Sequence, residues 1–365
     1  MSLILTFLGK GGVGRSTIAI AAAKQLASLG SRVLLVAGDP SPAFDLLLGA
    51  SVGIDPTGIG ANLEAVQLQS TLLLERGWEE VKQLEKEYLK SPTLKNVYGQ
   101  ELSLLPGMES ALALKAIREY RASGKYDVIV YDGSGDLTTL KTLGTPETVS
   151  WYFRRFRKVF AESDFGKAIS PFIQPVSSAI FNVSWTFDNF AEEPTNQVQS
   201  MVEDGKAAIS DPNQVMAYLV TQDNPIAIAT AKYYWGSAQQ TGVTVGGVLL
   251  NQSNGNDAIT KEFAPLQVTS LPTCSMGEWQ SLIDALPNFR ETPQVPKPIT
   301  IDINNRQLRL FLPSFTKKQV KLTQYGPEIT IEAGDQRRNI LLPPQLSGQP
   351  VKGAKFQDGY LIISF

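Results

Sequence analysis

The sequence contains no histidine and a single cysteine, Cys274, in 365 residues. No imidazole is available for acid–base catalysis, for metal ligation or for a triad that needs one. One cysteine forms no intrachain disulfide, no CxxC redox pair and no multi-cysteine zinc or iron–sulfur centre within a subunit. Cys274 therefore reads as a lone thiol. Long apolar runs are missing as well. The opening MSLILTFLGKGG has no basic leader and its apolar stretch stops at Gly9, too early for a secretion signal or a spanning helix, and no later run approaches about 18 apolar residues. The expectation is a soluble, cytoplasmic chain, with peripheral membrane contact left open. A dominant charge is also lacking, since 33 Lys and Arg stand against 35 Asp and Glu, so no nucleic-acid partner is expected. The 43% hydrophobic content fits a globular chain long enough for more than one core.

Short apolar runs alternate with helical patterns. Ile4 to Leu8 is an apolar run ended by glycines, Ser16 to Leu29 is an Ala-rich helix closed near Gly30, and Arg32 to Val36 is a second run. Leu102 to Leu105, Val128 to Tyr131, Val215 to Val220 and Val243 to Leu250 read as further buried strands. Continuous apolar strands separated by helices predict an α/β fold with a mostly parallel sheet covered on both faces. Helical segments about 62–100 and 146–212 interrupt the alternation. The second holds an aromatic series from Trp151 to Phe190, and two readings stand: core packing against the sheet, or an exposed groove for an apolar partner.

The texture changes after residue 291. Residues 292–298, TPQVPKP, favour an extended linker. Beyond it, Leu308, Leu310 and Leu312, then Val320 and Leu322, Ile329 and Ile331, Ile340 and Leu342, and Leu361 and Ile363 repeat at period two. That spacing predicts a small antiparallel β-sandwich over 299–365. This stretch carries nine basic against five acidic residues, whereas residues 1–298 carry 24 against 30. The contrast favours docking of one domain on the other.

The most specific pattern is Gly9-Lys10-Gly11-Gly12-Val13-Gly14-Arg15-Ser16-Thr17 between a strand and a helix. Glycines let successive amides converge on phosphate oxygens, and the helix N-terminus adds a positive field. Gly11 to Thr17 are the expected nucleotide-binding residues, with Ser16 placed to offer its hydroxyl to Mg2+. Arg15 stands where the usual pattern has lysine; it keeps the positive charge in a larger planar group. Lys10 adds a second cation at the loop entrance. Asp39 and Asp132 each follow an apolar run, and acids just beyond neighbouring parallel strands converge on the phosphate crevice. Asp132 is assigned to Mg2+ through water and Asp39 to orienting the attacking water. A helix cap is the alternative for either. Asp45 and Asp136 are second-rank candidates.

These residues resemble the ArsA family of anion-transporting and protein-targeting ATPases, within the deviant-Walker P-loop NTPases. GKGGVGRST matches the deviant loop, Asp39-Pro40 falls on the first switch, and Leu105-Pro106-Gly107-Met108-Glu109 resembles a PGxxE segment. The resemblance implies ATP and Mg2+ as ligands, ATP hydrolysis, and a nucleotide-bridged homodimer in which Lys10 reaches the neighbouring subunit's phosphates. It also implies that Asn251 reads adenine and that Leu271-Pro272 closes the base pocket. The second switch departs from the family's DTAPTGHT, reading Asp132-Gly133-Ser134-Gly135-Asp136-Leu137-Thr138-Thr139. Arsenite-pump relatives group cysteines for metalloid and targeting relatives share CxxC zinc ligands; Cys274 alone makes neither. A protein client, an anion or a membrane partner thus stays unspecified. Leu308 to Phe365 resembles the small-heat-shock, alpha-crystallin-type domain appended to some family members, expected either to bind apolar segments or to pack within the chain.

Overall fold

The computed structural model of the chain describes residues 2–77, 79, 107–151, 154, 196–275 and 277–365. They divide into two compact units: Met1–Gln67 with Gly124–Gly144 and Ala208–Phe365, and Leu68–Ser123 with Thr145–Ala207. The first unit is built on an eight-stranded sheet of β1 (Leu3–Leu8), β2 (Val33–Ala37), β3 (Thr57–Gly60), β4 (Leu63–Gln67), β5 (Val128–Asp132), β6 (Val215–Thr221), β7 (Thr244–Asn251) and β8 (Val268–Leu271). Their order is β3-β4-β2-β5-β1-β6-β7-β8. All neighbours are parallel except β3 on β4. Strands β2, β5, β6 and β7 are buried along their whole length, which is why they read as unbroken apolar runs.

Helix α1 (Arg15–Ser28) buries Ile18 to Ala23, Leu26 and Ala27 against this sheet. Its alanines let a helix buried almost all round lie close to the strands. Gly30, at φ 88°, ends it. The other helices of this unit are α2 (Ala43–Leu48), α4 (Leu137–Leu143), α6 (Pro225–Thr241), α7 (Asp257–Glu262) and α8 (Gln280–Ala285). In the second unit the described helices include α3 (Met108–Ala122) and α5 (Asn196–Ser210).

The helical segment expected from residue 62 begins instead as a strand. Asn62 turns the chain at φ 58°, and Leu63 and Ala65 then enter the core at period two while β4 pairs in parallel with β2. Burial of alternate side chains outweighs the charged residues that suggested a helix. The remainder of that segment beyond residue 79, the strand expected at Leu102 to Leu105, and the aromatic series apart from Trp151 lie outside the described residues. Among the described residues no helix is long and apolar enough to cross a membrane.

The last part of the chain forms two antiparallel sheets. One contains β9 (Ile299–Asp302), β10 (Gln307–Phe311), β14 (Gly353–Gln357) and β15 (Tyr360–Ser364) in the order β14-β15-β10-β9. The other is β11 (Val320–Tyr325), β12 (Glu328–Ala333) and β13 (Gln336–Leu341). Leu308, Leu310, Leu312, Ile329, Ile331, Ile340, Leu342, Leu361 and Ile363 meet in one core, with Val320 and Leu322 packed at its margin. These are the period-two residues of the sequence.

This β-domain rests on α6. Tyr233 stacks edge-on against Phe315 at 5.9 Å and Trp235 against Phe311 at 5.6 Å. Gln240 donates from Nε2 to Ile331 O at 2.6 Å and Arg338 from Nη1 to Gln239 O at 3.1 Å. On α4, Lys141 pairs with Asp335 at 2.9 Å. Trp235, Ser237, Gln239 and Gln240 of α6 are buried, as is Gln336 of the β-domain. A side chain on Gly236 would place its Cβ 2.4 Å from Pro313 O and 2.6 Å from the Phe315 ring. Helix propensity alone gives Gly→Ala a gain of about 1 kcal/mol, whereas this collision costs about 1–3 kcal/mol. Gly236→Ala is therefore expected to lower stability in urea unfolding; a rise would show that the contact is not held in solution.

Candidate functional site

The ends of β1, β2, β5, β6 and β7 bring distant segments together at one edge of the sheet. The loop after β1 is pinned by close backbone approach: Gly9 N–H donates to Gly135 O at 2.9 Å, and a Cβ on Gly9 would lie 2.2 Å from Val220 O at the end of β6. Val13 anchors the loop by burying its side chain in the core. Gly14, at φ 94°, precedes α1, and a Cβ there would sit 2.4 Å from Asn251 Nδ2. Gly11 and Gly12 meet nothing within 4 Å of a built Cβ, so this side of the loop is open where an anion's oxygens would approach the amides. Lys10 is exposed, and Ser16 and Thr17 are half-buried in the first turn of α1.

Asp132 ends β5 and is buried, at 8% exposure. The Ser16 hydroxyl, the Arg15 charge and the Asp39 carboxylate lie near enough to act on its carboxyl. Arg15 is the first residue of α1, and its Nη1 donates to Ser134 O in the loop after β5. Gly135, at φ 62°, leaves room for that guanidinium, because a Cβ there would overlap Arg15. Asp39 is exposed; its Oδ1 accepts from Ser41 N–H at 2.9 Å and caps no helix. Gly38 N–H donates to Asp132 O at 2.8 Å, which ties the base of the Asp39 loop to β5.

Asn251 ends β7 opposite Leu271 of β8, placing Pro272 just beyond. Asn251 is buried and donates from Nδ2 to Val13 O at 2.9 Å, so one edge of its amide holds the loop. Pro272 is exposed. The two second-rank acids have local structural work. Asp136 Oδ1 accepts from Thr138 N–H at 2.8 Å as the cap of α4, and Asp45 Oδ1 accepts from Val52 N–H at 3.2 Å. Gln67, not singled out by the sequence patterns, donates from Nε2 to both Asp39 O and Ser41 O at 2.8 Å. A buried amide closing an otherwise apolar strand face was its only signal.

The family model for anion-transporting ATPases matches residues 2–271, and that for an HSP20-like domain found in ArsA matches residues 303–365. The chain belongs to the anion-transporting ATPase family. The chain is similar to a putative arsenical pump-driving ATPase of Chlorobaculum tepidum, 26% identical over 99% of this chain and 95% of the relative. It is 25% identical, with the same coverage of each, to a putative arsenical pump-driving ATPase of Prosthecochloris vibrioformis. A putative arsenical pump-driving ATPase 1 of Aquifex aeolicus is 22% identical over 99% of both chains. Family membership implies nucleotide binding on a P-loop ATPase fold.

No group of three or more His, Cys, Asp or Glu able to hold a metal occurs among the described residues. The donors at the loop are instead a hydroxyl and a carboxylate, Ser16 and Asp132, the hard oxygen set that suits Mg2+ when phosphates complete the shell. Cys274 is a free thiol whose Sγ donates to Glu278 O at 2.6 Å. Burial pushes the Asp132 carboxyl up to about 6, Asp39 adds to the rise, and the Ser16 hydrogen bond and the Arg15 charge oppose it. An unfolded aspartate releases its proton near 3.8. Between those values the folded state binds more protons, so stability falls as pH rises through the window and stays reduced above about 6. Asp127 moves the other way, to about 2, chiefly through its hydrogen bond from Arg32, and acts below that window. Without nucleotide, Asp132→Asn should flatten the decline in melting temperature between about pH 4 and pH 6. An unchanged decline in the variant would assign it to other groups.

Proposed function

We propose that this ATPase is a Mg-ATP-dependent switch that hydrolyses ATP as a homodimer and passes the change to a bound client. The observation that carries the reading is the buried Asp132 beside the Ser16 hydroxyl at a glycine loop whose outer side is open. Gly11 to Thr17 hold the phosphates through backbone amides and the N-terminal end of α1. Ser16 directly, and Asp132 through water, would hold Mg2+, which would offset the charge of the phosphates. Asp39, on the loop tied to β5, orients the attacking water, and catalysis rests on positioning and charge rather than on a histidine base. Lys10, exposed at the loop entrance, completes the site of the second subunit. Asn251 and Pro272 border the adenine, with the Asn251 carbonyl oxygen left for the base because its amide nitrogen serves Val13.

Arg15 links binding to switching. Its guanidinium bridges from the loop to Ser134 O, and Ser134 in turn donates to Asp136, the α4 cap, at 2.6 Å. A phosphate that draws Arg15 away from Ser134 therefore frees the segment leading into α4. The client is a protein or an anion; a lone Cys274 provides no cluster of soft ligands for a metalloid.

Titration with ATP and ADP, with and without Mg2+, together with mass measurement and phosphate release, tests this directly. The expected outcome is Mg-dependent binding, ATP-dependent dimerisation and turnover. Absence of nucleotide binding would overturn the reading. The Arg15–Ser134 contact also favours a second one, a nucleotide-binding scaffold that barely hydrolyses, for which tight ATP binding with negligible turnover is the mark. Lysine lacks the planar fork that spans to Ser134, so Arg15→Lys is expected to raise turnover at least severalfold if that contact restrains the switch. Equal turnover would remove the restraint from the account.

A further inference from the structure

We infer that Gln67 is the positioning residue for Asp39. This rests on the hydrolytic reading above and adds to it the side chain that sets the first-switch loop. Gln67 is the last residue of β4, on the same strand face as Leu63 and Ala65, which belong to the core. It is 5% exposed. Its backbone N–H donates to Gly53 O at 2.8 Å, which fixes the strand end. Its Nε2 then reaches two carbonyls, Asp39 O and Ser41 O, each at 2.8 Å. Both amide hydrogens are used, and the two acceptors flank Pro40, which has no N–H of its own to hold the turn.

The loop has few other restraints. Asp39 and Pro40 are exposed, Asp39 Oδ1 accepts from Ser41 N–H within the same turn, and Gly38 is tied to Asp132 O at its base. Among the described residues, Gln67 alone joins the tip of this turn to the sheet through its side chain. It touches neither water nor phosphate in this role; it decides where the Asp39 carboxylate stands relative to Asp132. Since a misplacement of about 1 Å in a catalytic constellation costs on the order of 100-fold in rate, a donor pair aimed at both flanks of Pro40 controls turnover more than ATP affinity.

The test uses Gln67→Leu, which keeps bulk without donors, and Gln67→Glu, nearly isosteric but accepting only when ionised. Both are expected to lower kcat at least about tenfold while KM for ATP stays within about twofold. For Gln67→Glu, the rate relative to wild type should recover as pH falls toward the carboxyl range, where protonation restores one donor. Hydrogen exchange of nucleotide-free protein should rise across residues 38–46 in both variants and stay unchanged in β1 and β5. Wild-type exchange in that segment, or a loss confined to KM, would overturn the inference. If the wild-type protein does not turn over ATP, the hydrolytic reading fails separately, and exchange still decides whether Gln67 holds the loop.

Discussion

The site depends on neighbours approaching glycine backbone more closely than a Cβ would permit. Gly9 meets Val220, Gly14 meets the Asn251 amide and Gly135 meets Arg15 at distances that a Cβ would violate. Each contact joins the glycine loop to the end of a different strand, β6, β7 or β5. The parallel sheet supplies this convergence, since its strands deliver their following loops to one edge. Burial of β2, β5, β6 and β7 holds the edge rigid, each large apolar side chain being worth about 1.5–3 kcal/mol. The strain of left-handed backbone at Gly14 and Gly135 is avoided because both positions lack a Cβ.

Within that frame the charges are arranged asymmetrically. Asp132 is buried at the end of β5, whereas Asp39 stands exposed on a loop fixed through carbonyls. One acid is thus set by the sheet and the other by a side chain from the neighbouring strand. Arg15 crosses between the two loops that follow β1 and β5. The arrangement couples three chain segments through a handful of polar contacts, while the apolar core beneath them stays fixed.

Much of this was legible in sequence because the determinants are local. The glycines from Gly9 to Gly14, the apolar runs of β1, β2, β5, β6 and β7, and the period-two residues of the β-domain each carry their signal within a few neighbours. What escaped depends on pairing across the fold. Strand β4 falls in a segment that reads as helix, and only its pairing with β2 reveals a strand burying Leu63, Ala65 and Val66. Gln67 gave no motif, since its acceptors lie 28 and 26 residues earlier. Asn251 was assigned to a base by resemblance, and its bond to Val13, 238 residues away, has no local trace. The cap formed by Asp136 has no local mark of its own, because a cap and a site acid share the same residue type.

The seam between α6 and the β-domain has a consequence for how the two halves share their fate. Hydrogen bonds from Gln240 and Arg338 cross it beside two aromatic pairs, and each such bond adds about 0.5–1.5 kcal/mol to what the rings gain. Parting the halves would strip those bonds and bare Trp235, Phe311 and Phe315, each at most 5% exposed, so the β-domain and the helix beneath it hold or fail as one.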